Sequence, residues 1–500
     1  MNKNYLLGFD VGSSSIKASL IDADNGQLID SASSPDQEMK IESPVIGWAE
    51  QDPDIWWNHV VTATRKIISR LSEKNFEIIA IGISYQMHGL VLVDKNFKVL
   101  RPSIIWCDSR AVEIGNNAFK ELGQEYCLGS CLNSPGNFTA SKLAWVKKNQ
   151  PEIYSRIHKI MLPGDYIALK LSGEIYTTVS GLSEGIFWDF NTNDISQKVL
   201  NYFGFDRNII PDIVPTFSNQ GKLTRQAAEE LGIKSGIPIS YRAGDQPNNA
   251  LSLNVLKPGE IAATAGTSGV IYGVTDKNLI DNISRVNTFA HVNYSQKNPN
   301  KGVLLCINGT GILYSWIKLN ILEGKYSYNE LNSLADQVEI GSHGLICIPF
   351  GNGAERVLGN KDVQCQFSGI NFNIHGKGHL VRAAQEGIAY SFRYGLDVMK
   401  SIGMNINIVK AGNTNLFQSK IFQHAFVNTC NAELELYNTD GSQGAARGAG
   451  IGIGYYSSEE KAFDGLKIID RVTPSENLVD KYYKLYQNWK MKLNSVLEEK

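Results

Sequence analysis

Residues 5–22 read Tyr5-Leu6-Leu7-Gly8-Phe9-Asp10-Val11-Gly12-Ser13-Ser14-Ser15-Ile16-Lys17-Ala18-Ser19-Leu20-Ile21-Asp22. Apolar runs on both sides of a Gly/Ser cluster predict two strands joined by a tight turn. The pattern returns at residues 261–276, as Ile261-Ala262-Ala263-Thr264-Ala265-Gly266-Thr267-Ser268-Gly269-Val270-Ile271-Tyr272-Gly273-Val274-Thr275-Asp276. Laid over each other, Gly12 meets Gly266 and Asp22 meets Asp276, at one shared offset of about half the chain. That period is far too long for a solenoid. It predicts two related halves, each opening with a strand–turn–strand unit.

Strands and helices alternate between and beyond these units. Helical spacing marks residues 54–70, through Trp56, Trp57, Val60, Val61, Ile67 and Ile68, and residues 135–149 lead into a helix carrying Leu143, Trp145 and Val146. Strands are expected at 76–84, 89–94 and 237–241, the last running into Arg242-Ala243-Gly244-Asp245. The second half repeats the style, with strands at 344–349 and 407–411 and a helix at 378–402. Small residues 444–450 read as a helix packing closely on its neighbours. The last helix follows Thr473-Pro474-Ser475, with Ser475 as N-cap and Leu478, Tyr482, Leu485, Trp489, Leu493 and Val496 as its core face. The boundary falls near residues 248–259, which divides the chain into 1–250 and 251–500. The fold class is α/β, two domains with a cleft between them.

Composition narrows the function. The chain has 500 residues, and 48 Lys and Arg against 50 Asp and Glu leave a net charge of -2. It lacks the basic excess that draws a protein to nucleic acid or an anionic membrane. Seven scattered cysteines contain no C-x-x-C pair, which argues against a disulfide framework or a zinc site. With no secretory leader or membrane-spanning run in the sequence, a cytoplasmic location is expected.

Consecutive backbone N–H groups in a Gly/Ser/Thr turn can form an anion-binding nest. Each turn taken alone also reads as an ordinary hairpin, but their agreement across two halves favours phosphate. Asp10, just before the first turn, stands where a carboxylate can hold magnesium through waters. Lys17 reads as an outward strand residue. The chain contains neither a G-x-x-x-x-G-K-[ST] P-loop nor a G-x-G-x-x-G after a strand. Asp245, at a strand's carboxyl end, occupies a position where α/β folds place ligands, and His88 stands between two buried strands, where a lone histidine is usually structural. The residues alone leave open whether His88 is structural and whether Asp245 only caps a helix.

Taken together and in order, Asp10-Val11-Gly12-Ser13-Ser14, Trp48-Ala49-Glu50-Gln51-Asp52-Pro53, Gln86-Met87-His88-Gly89, Phe138 to Trp145, Gly244-Asp245-Gln246, Gly266-Thr267-Ser268-Gly269 and Ala383-Ala384-Gln385-Glu386-Gly387 resemble the FGGY carbohydrate kinases. The resemblance spans residues 5–455. It implies two actin-like (ribonuclease H-like) domains closing on ATP and a sugar. By the same resemblance Asp245 is the catalytic base, and Met87, His88 and Gln246 contact the sugar with it. Gly12, Ser13 and Ser14 form one phosphate loop and Gly266, Thr267 and Ser268 the other. Ala411, Gly412 and Asn413 form the adenosine loop, and Asp10 serves Mg2+. Gln-Met-His-Gly and Trp-x-Glu-Gln-Asp-Pro resemble the xylulokinase branch, which implies D-xylulose as acceptor. Gln246 departs from that branch, where Asn is usual. Another FGGY acceptor (gluconate, ribulose, erythritol or glycerol) is the near alternative, and a switch ATPase of actin or Hsp70 type the distant one. Family habit allows a homodimer. An Asp245 of near-normal acidity would suffice as base.

Overall fold

The first hairpin forms where the apolar runs place it. In the computed structural model, which describes residues 3–72 and 75–499, β1 (Lys3–Val11) pairs antiparallel with β2 (Ile16–Asp22). β3 (Leu28–Ser34) extends the sheet beyond β2. The chain then enters α1 (Pro53–Arg70), whose N-cap Asp52 accepts from Asp54 N–H and whose first position is Pro53. Trp56, Trp57, Val60 and Ile67 of α1 pack into the core over β2 and β3. β4 (Phe76–Tyr85) lies parallel to β1. After α2 (Thr139–Asn149) and α3 (Pro163–Ser172), β5 (Ile239–Gly244) lies parallel to β4 and runs directly into α4 (Asp245–Ser252).

The second sheet contains β6 (Ile261–Ala265), β7 (Gly269–Thr275), β8 (Asn287–Ala290) and β9 (Lys301–Ile307). Then follow α5 (Lys377–Ser401), β10 (Ile408–Gly412), α6 (Lys420–Cys430), β11 (Glu433–Tyr437), α7 (Gly441–Gly452), β12 (Ile468–Val472) and α8 (Glu476–Glu498). The orders are β5-β4-β1-β2-β3 and β8-β9-β7-β6-β10-β11-β12. Read outward from each leading hairpin, the pattern is the same. One antiparallel strand lies beyond the hairpin (β3, β9) and two parallel strands on its other side (β4 and β5, β10 and β11). The duplication read from the two turns is therefore a duplication of topology.

One correspondence needs correcting. Val11 faces Ile16 across Gly12–Ser15, whereas Ala265 faces Gly269 across the shorter Gly266–Ser268. Beyond the turn the match slips by one, so Asp22 corresponds to Thr275 and not to Asp276. A turn one residue shorter still closes an antiparallel ladder, and the similar residues on either side conceal the loss.

The small-residue run forms α7 as expected. This helix follows β11 of the second sheet yet lies on the first, against β1, β4 and β5. A Cβ on Gly8 would sit 2.0 Å from Ser442 O, and one on Gly82 would sit 1.9 Å from Ala445 O. Glycine on the strands and Gly/Ala on the helix thus let backbone meet backbone. At the far end of the chain, Ser475 takes the N-cap position of α8 without a side-chain capping bond. Tyr482, Trp489, Leu493 and Val496 are buried, with Leu478 and Leu485 packed against the same core. No described helix is long and apolar enough to cross a membrane.

Candidate active site

The carboxyl ends of β1, β4 and β5 bring the predicted residues of the first half together. Val11, Tyr85 and Gly244 form one rung of the sheet, and Gly12, Gln86 and Asp245 follow as the next residues of the three strands. Asp10 accepts a hydrogen bond from Ser84 Oγ at 2.9 Å. Burial and the neighbouring Asp440 raise its pKa, partly offset by Ser84 and Lys17. Asp440 caps α7, accepting from Gln443 N–H at 3.0 Å, and takes the Lys17 ammonium at 2.7 Å. Burial pushes the Asp440 carboxyl up, but Lys17 and the bonds from Ser442 and Gln443 outweigh it and hold it ionised. Lys17 is thus an ion-pair partner beside the first turn, which its alternation in β2 did not reveal.

Asp245 begins α4, directly after the last residue of β5. Burial, followed by the charge of Asp10, pushes its pKa up to about 7, against the opposing bonds from Gln246. A base of near-normal acidity would have sufficed, and the higher value found here is not readable from sequence, which does not report how little water reaches a carboxylate. On the other side of the rung, Met87 packs on Gly244, where a Cβ would lie 2.5 Å from Met87 Cγ. His88 adopts φ 62°, and its Nδ1 lies 3.1 Å from Glu184 O. Its ring packs edge-on to Phe138 at 4.6 Å. Burial, with Lys142 and Arg356 nearby, lowers the His88 pKa to about 3, so the imidazole is neutral. Lys142, itself buried, donates to His88 O at 2.8 Å.

The first turn is braced from its motif neighbours. Gln51 Nε2 donates to Ser13 O at 2.7 Å, Trp56 Nε1 donates to Gln51 Oε1 at 3.0 Å, and Trp106 Nε1 donates to Ser13 Oγ at 3.2 Å. The second turn is braced by residues 308–311. Gly311 N–H donates to Gly266 O and Ile312 N–H to Thr267 O, while Glu355 accepts from the N–H groups of Asn308 and Gly309. Beside it a cavity of about 380 Å³ is lined by Gly266, Thr267, Tyr314, Asn332, Asn415 and Gln418, a size and polarity that fit a nucleoside. Of the predicted adenosine loop, Ala411 is buried in β10, Gly412 ends that strand, and Asn413 N–H donates to Tyr437 O. The cavity wall on that side comes from the residues just after them.

Several polar groups in this region escaped the sequence reading. Glu184, 1% exposed, lies under Gly244, and burial, then the charge of Asp245, raises its pKa well above the carboxylate range. The only available signal was a lone acid in the apolar stretch 179–188. Lys142, Asp440 and Trp106 come from segments distant in sequence, joined only by folding. The pair Asp10 and Asp440 suits Mg2+, which takes one or two carboxylates and leaves its other positions to water and phosphate. No group of three potential ligand side chains exists among the described residues, so a cage made wholly of protein is not on offer.

Comparison with known proteins agrees over most of the chain. Residues 5–252 match the N-terminal domain of the FGGY family of carbohydrate kinases, and residues 261–451 match its C-terminal domain. A xylulose kinase from Lactococcus lactis is 29% identical over 499 residues, covering 97% of this chain and 96% of its own. Among solved structures, a gluconate kinase from Lactobacillus acidophilus superposes with a TM-score of 0.88 at 20% identity, over 99% of this chain and 98% of that one. A glycerol kinase from Plasmodium falciparum with ADP gives 0.88 at 22%, with the same coverage. One fold thus serves relatives named for three acceptors. The fold is the two-domain actin-like architecture, and the chain belongs to the FGGY family of carbohydrate kinases.

Proposed function

We propose that this carbohydrate kinase transfers the γ-phosphoryl group of ATP to the terminal hydroxyl of D-xylulose, giving D-xylulose 5-phosphate. The observation that carries the reading is the shared rung at the strand ends, where Asp245, with its raised pKa, stands two strands from the first Gly/Ser turn. Phosphoryl transfer has a loose transition state, so the protein chiefly positions groups and neutralises charge. Asp245 takes the proton of the attacking hydroxyl, and near neutrality its affinity suits both accepting and releasing that proton. The turns at Gly12–Ser14 and Gly266–Ser268 present backbone N–H groups to the phosphates. Asp10, with Asp440 beside it, would hold Mg2+, which would supply charge neutralisation on the phosphates. The neutral His88 hydrogen-bonds sugar hydroxyls, Met87 supports the carbon chain, and Gln246 steadies Asp245. The nucleoside occupies the cavity at Tyr314, Asn332 and Asn415, with Ala411, Gly412 and Asn413 supporting its far wall. In this reading the two halves are residues 1–250 and 251–500, with Asp440, from the second, serving the site of the first. The acceptor follows from the Gln-Met-His-Gly signature and the Lactococcus relative's name.

The test is ADP release with ATP and Mg2+ across D-xylulose, D-ribulose, gluconate, erythritol and glycerol. D-xylulose is expected to give the highest kcat/KM. A higher value for another acceptor removes the xylulose assignment but keeps the phosphoryl-transfer chemistry. No stimulation by any of them removes the assignment of Asp245 as base toward a sugar.

A further inference from the structure

Gln86 opens the Gln-Met-His-Gly signature, and the roles proposed so far leave it idle. Its backbone extends β4 by one residue, with Gln86 N–H donating to Val11 O at 2.9 Å. The strand's alternation therefore carries over. Gln86 shares the face of Gly82, which meets α7, and of Ser84, which bonds Asp10. It follows the last rung, Val11–Tyr85–Gly244, on the middle strand, between the strand that leads into the first Gly/Ser turn and the strand that leads into the proposed base. The residue is 3% exposed. Neither its Nε2 nor its Oε1 has a hydrogen-bond partner among the described residues. A buried carboxamide with both ends unpaired is costly, and such a group calls for a partner from outside the chain, a water, an ion or a ligand.

We propose that Gln86 is a substrate-contact residue at the point of transfer. Its Nε2–H donates to an oxygen of the phosphoryl group in transit, and its Oε1 accepts from the hydroxyl next to the one being phosphorylated. A carboxamide has one donor side and one acceptor side, and the strand that carries it lies between the one ending in the phosphate turn and the one ending in Asp245. The phosphate turn offers only acceptors once loaded, and the acceptor alcohol offers a donor. Gln86 thereby selects acceptors that carry a hydroxyl beside the reacting primary alcohol. The inference rests on the kinase reading above and adds to it a structural requirement on the sugar.

The experiment is a two-by-two cycle of wild type and Gln86→Leu against D-xylulose and its 4-deoxy analogue. In the wild type, the deoxy analogue should lose about 10- to 100-fold in kcat/KM, because a site built to pair with a hydroxyl leaves its own group unpaired when the hydroxyl is missing. In Gln86→Leu the parent sugar should fall by at least as much, and the deoxy penalty should shrink to within about threefold. Thermal unfolding gives a second readout. The unliganded variant should melt no lower than wild type, since it loses only unpaired atoms, while the upward shift produced by D-xylulose should disappear. If Leu prevents folding, Gln86→Met repeats the cycle with an apolar chain of similar length. A full deoxy penalty in the variant overturns the role of Gln86 while leaving the kinase reading intact. A wild type that does not phosphorylate D-xylulose overturns that reading and this inference with it.

Discussion

Replacing Asp245 with Asn should abolish turnover and at the same time make the protein more stable, by an amount that depends on pH. Asp245 ionises near pH 7 in the folded chain, against an ordinary value of 3.8. The folded state therefore favours the protonated acid. The stability this provides is complete below about pH 4, falls as pH rises, and is gone above about pH 7. Each step of one in that gap is worth about 1.4 kcal/mol, so ionised Asp245 costs at most about 4 kcal/mol at pH 8. Asn cannot ionise and escapes the cost. Urea unfolding midpoints at pH 4.5, 6, 7 and 8 should show Asp245→Asn drawing ahead of wild type as pH rises, with a plateau beyond pH 7. ATP binding should survive in the variant and product formation should not. A gap that does not change with pH, or a variant less stable than wild type at pH 8, would refute the claim that burial strains this carboxylate.

Other consequences are simpler to check. The acid limb of kcat/KM should rise toward pH 7, and Asp10→Asn, by removing a neighbouring negative charge, should move it to lower pH, which residual activity measured over pH 5–8 can follow. His88, held neutral with a pKa of about 3, should show no imidazole titration by NMR between pH 5 and 8, and a titration near 6.5 would contradict its enclosure by Phe138 and Lys142. Gly82→Ala would place a methyl group 1.9 Å from the Ala445 carbonyl oxygen, backbone that no rotamer can clear. It should cost about 3 kcal/mol or more, visible as a lowered melting temperature. Asp440→Asn keeps the helix cap but loses its charge, and should raise the Mg2+ concentration for half-maximal rate severalfold with little change in the acceptor KM.

The parts of this fold that were legible in the sequence are those written locally. Two Gly/Ser turns flanked by apolar runs announced the duplicated hairpins, and the spacing of Trp56, Trp57, Val60, Val61, Ile67 and Ile68 announced α1, because turn chemistry and apolar periodicity are written in neighbouring residues. The one-residue slip at the second turn was not legible, since Thr275 and Asp276 are adjacent and either could close the comparison. In the site, Asp10 and Asp245 stood at strand ends where ligands collect, and His88 stood out in its motif. Glu184, Lys142 and Asp440 did not, because each gains its meaning from a neighbour a hundred or more residues away, or from being denied water. The acidity of Asp245 belongs to the same class, a property of the packing around it. Gln86 was visible in its motif, but its unpaired amide became apparent only once the rung was assembled.

Helix α7 belongs to the second half by chain order and to the first by contact. A cut through residues 248–259 would therefore divide the sequence without dividing the machine, leaving the fragment from 261 onward with a glycine-lined ridge shaped for a sheet it no longer possesses. The same seam fixes what can travel during a catalytic cycle. Asp440, at the tip of that ridge, rides with Asp10 and Lys17, so the two carboxylates on the metal side keep their spacing however the remainder of the second half swings. On the roles proposed above, any closure would then carry the second turn, its brace at residues 308–312 and the cavity beside it toward that fixed group.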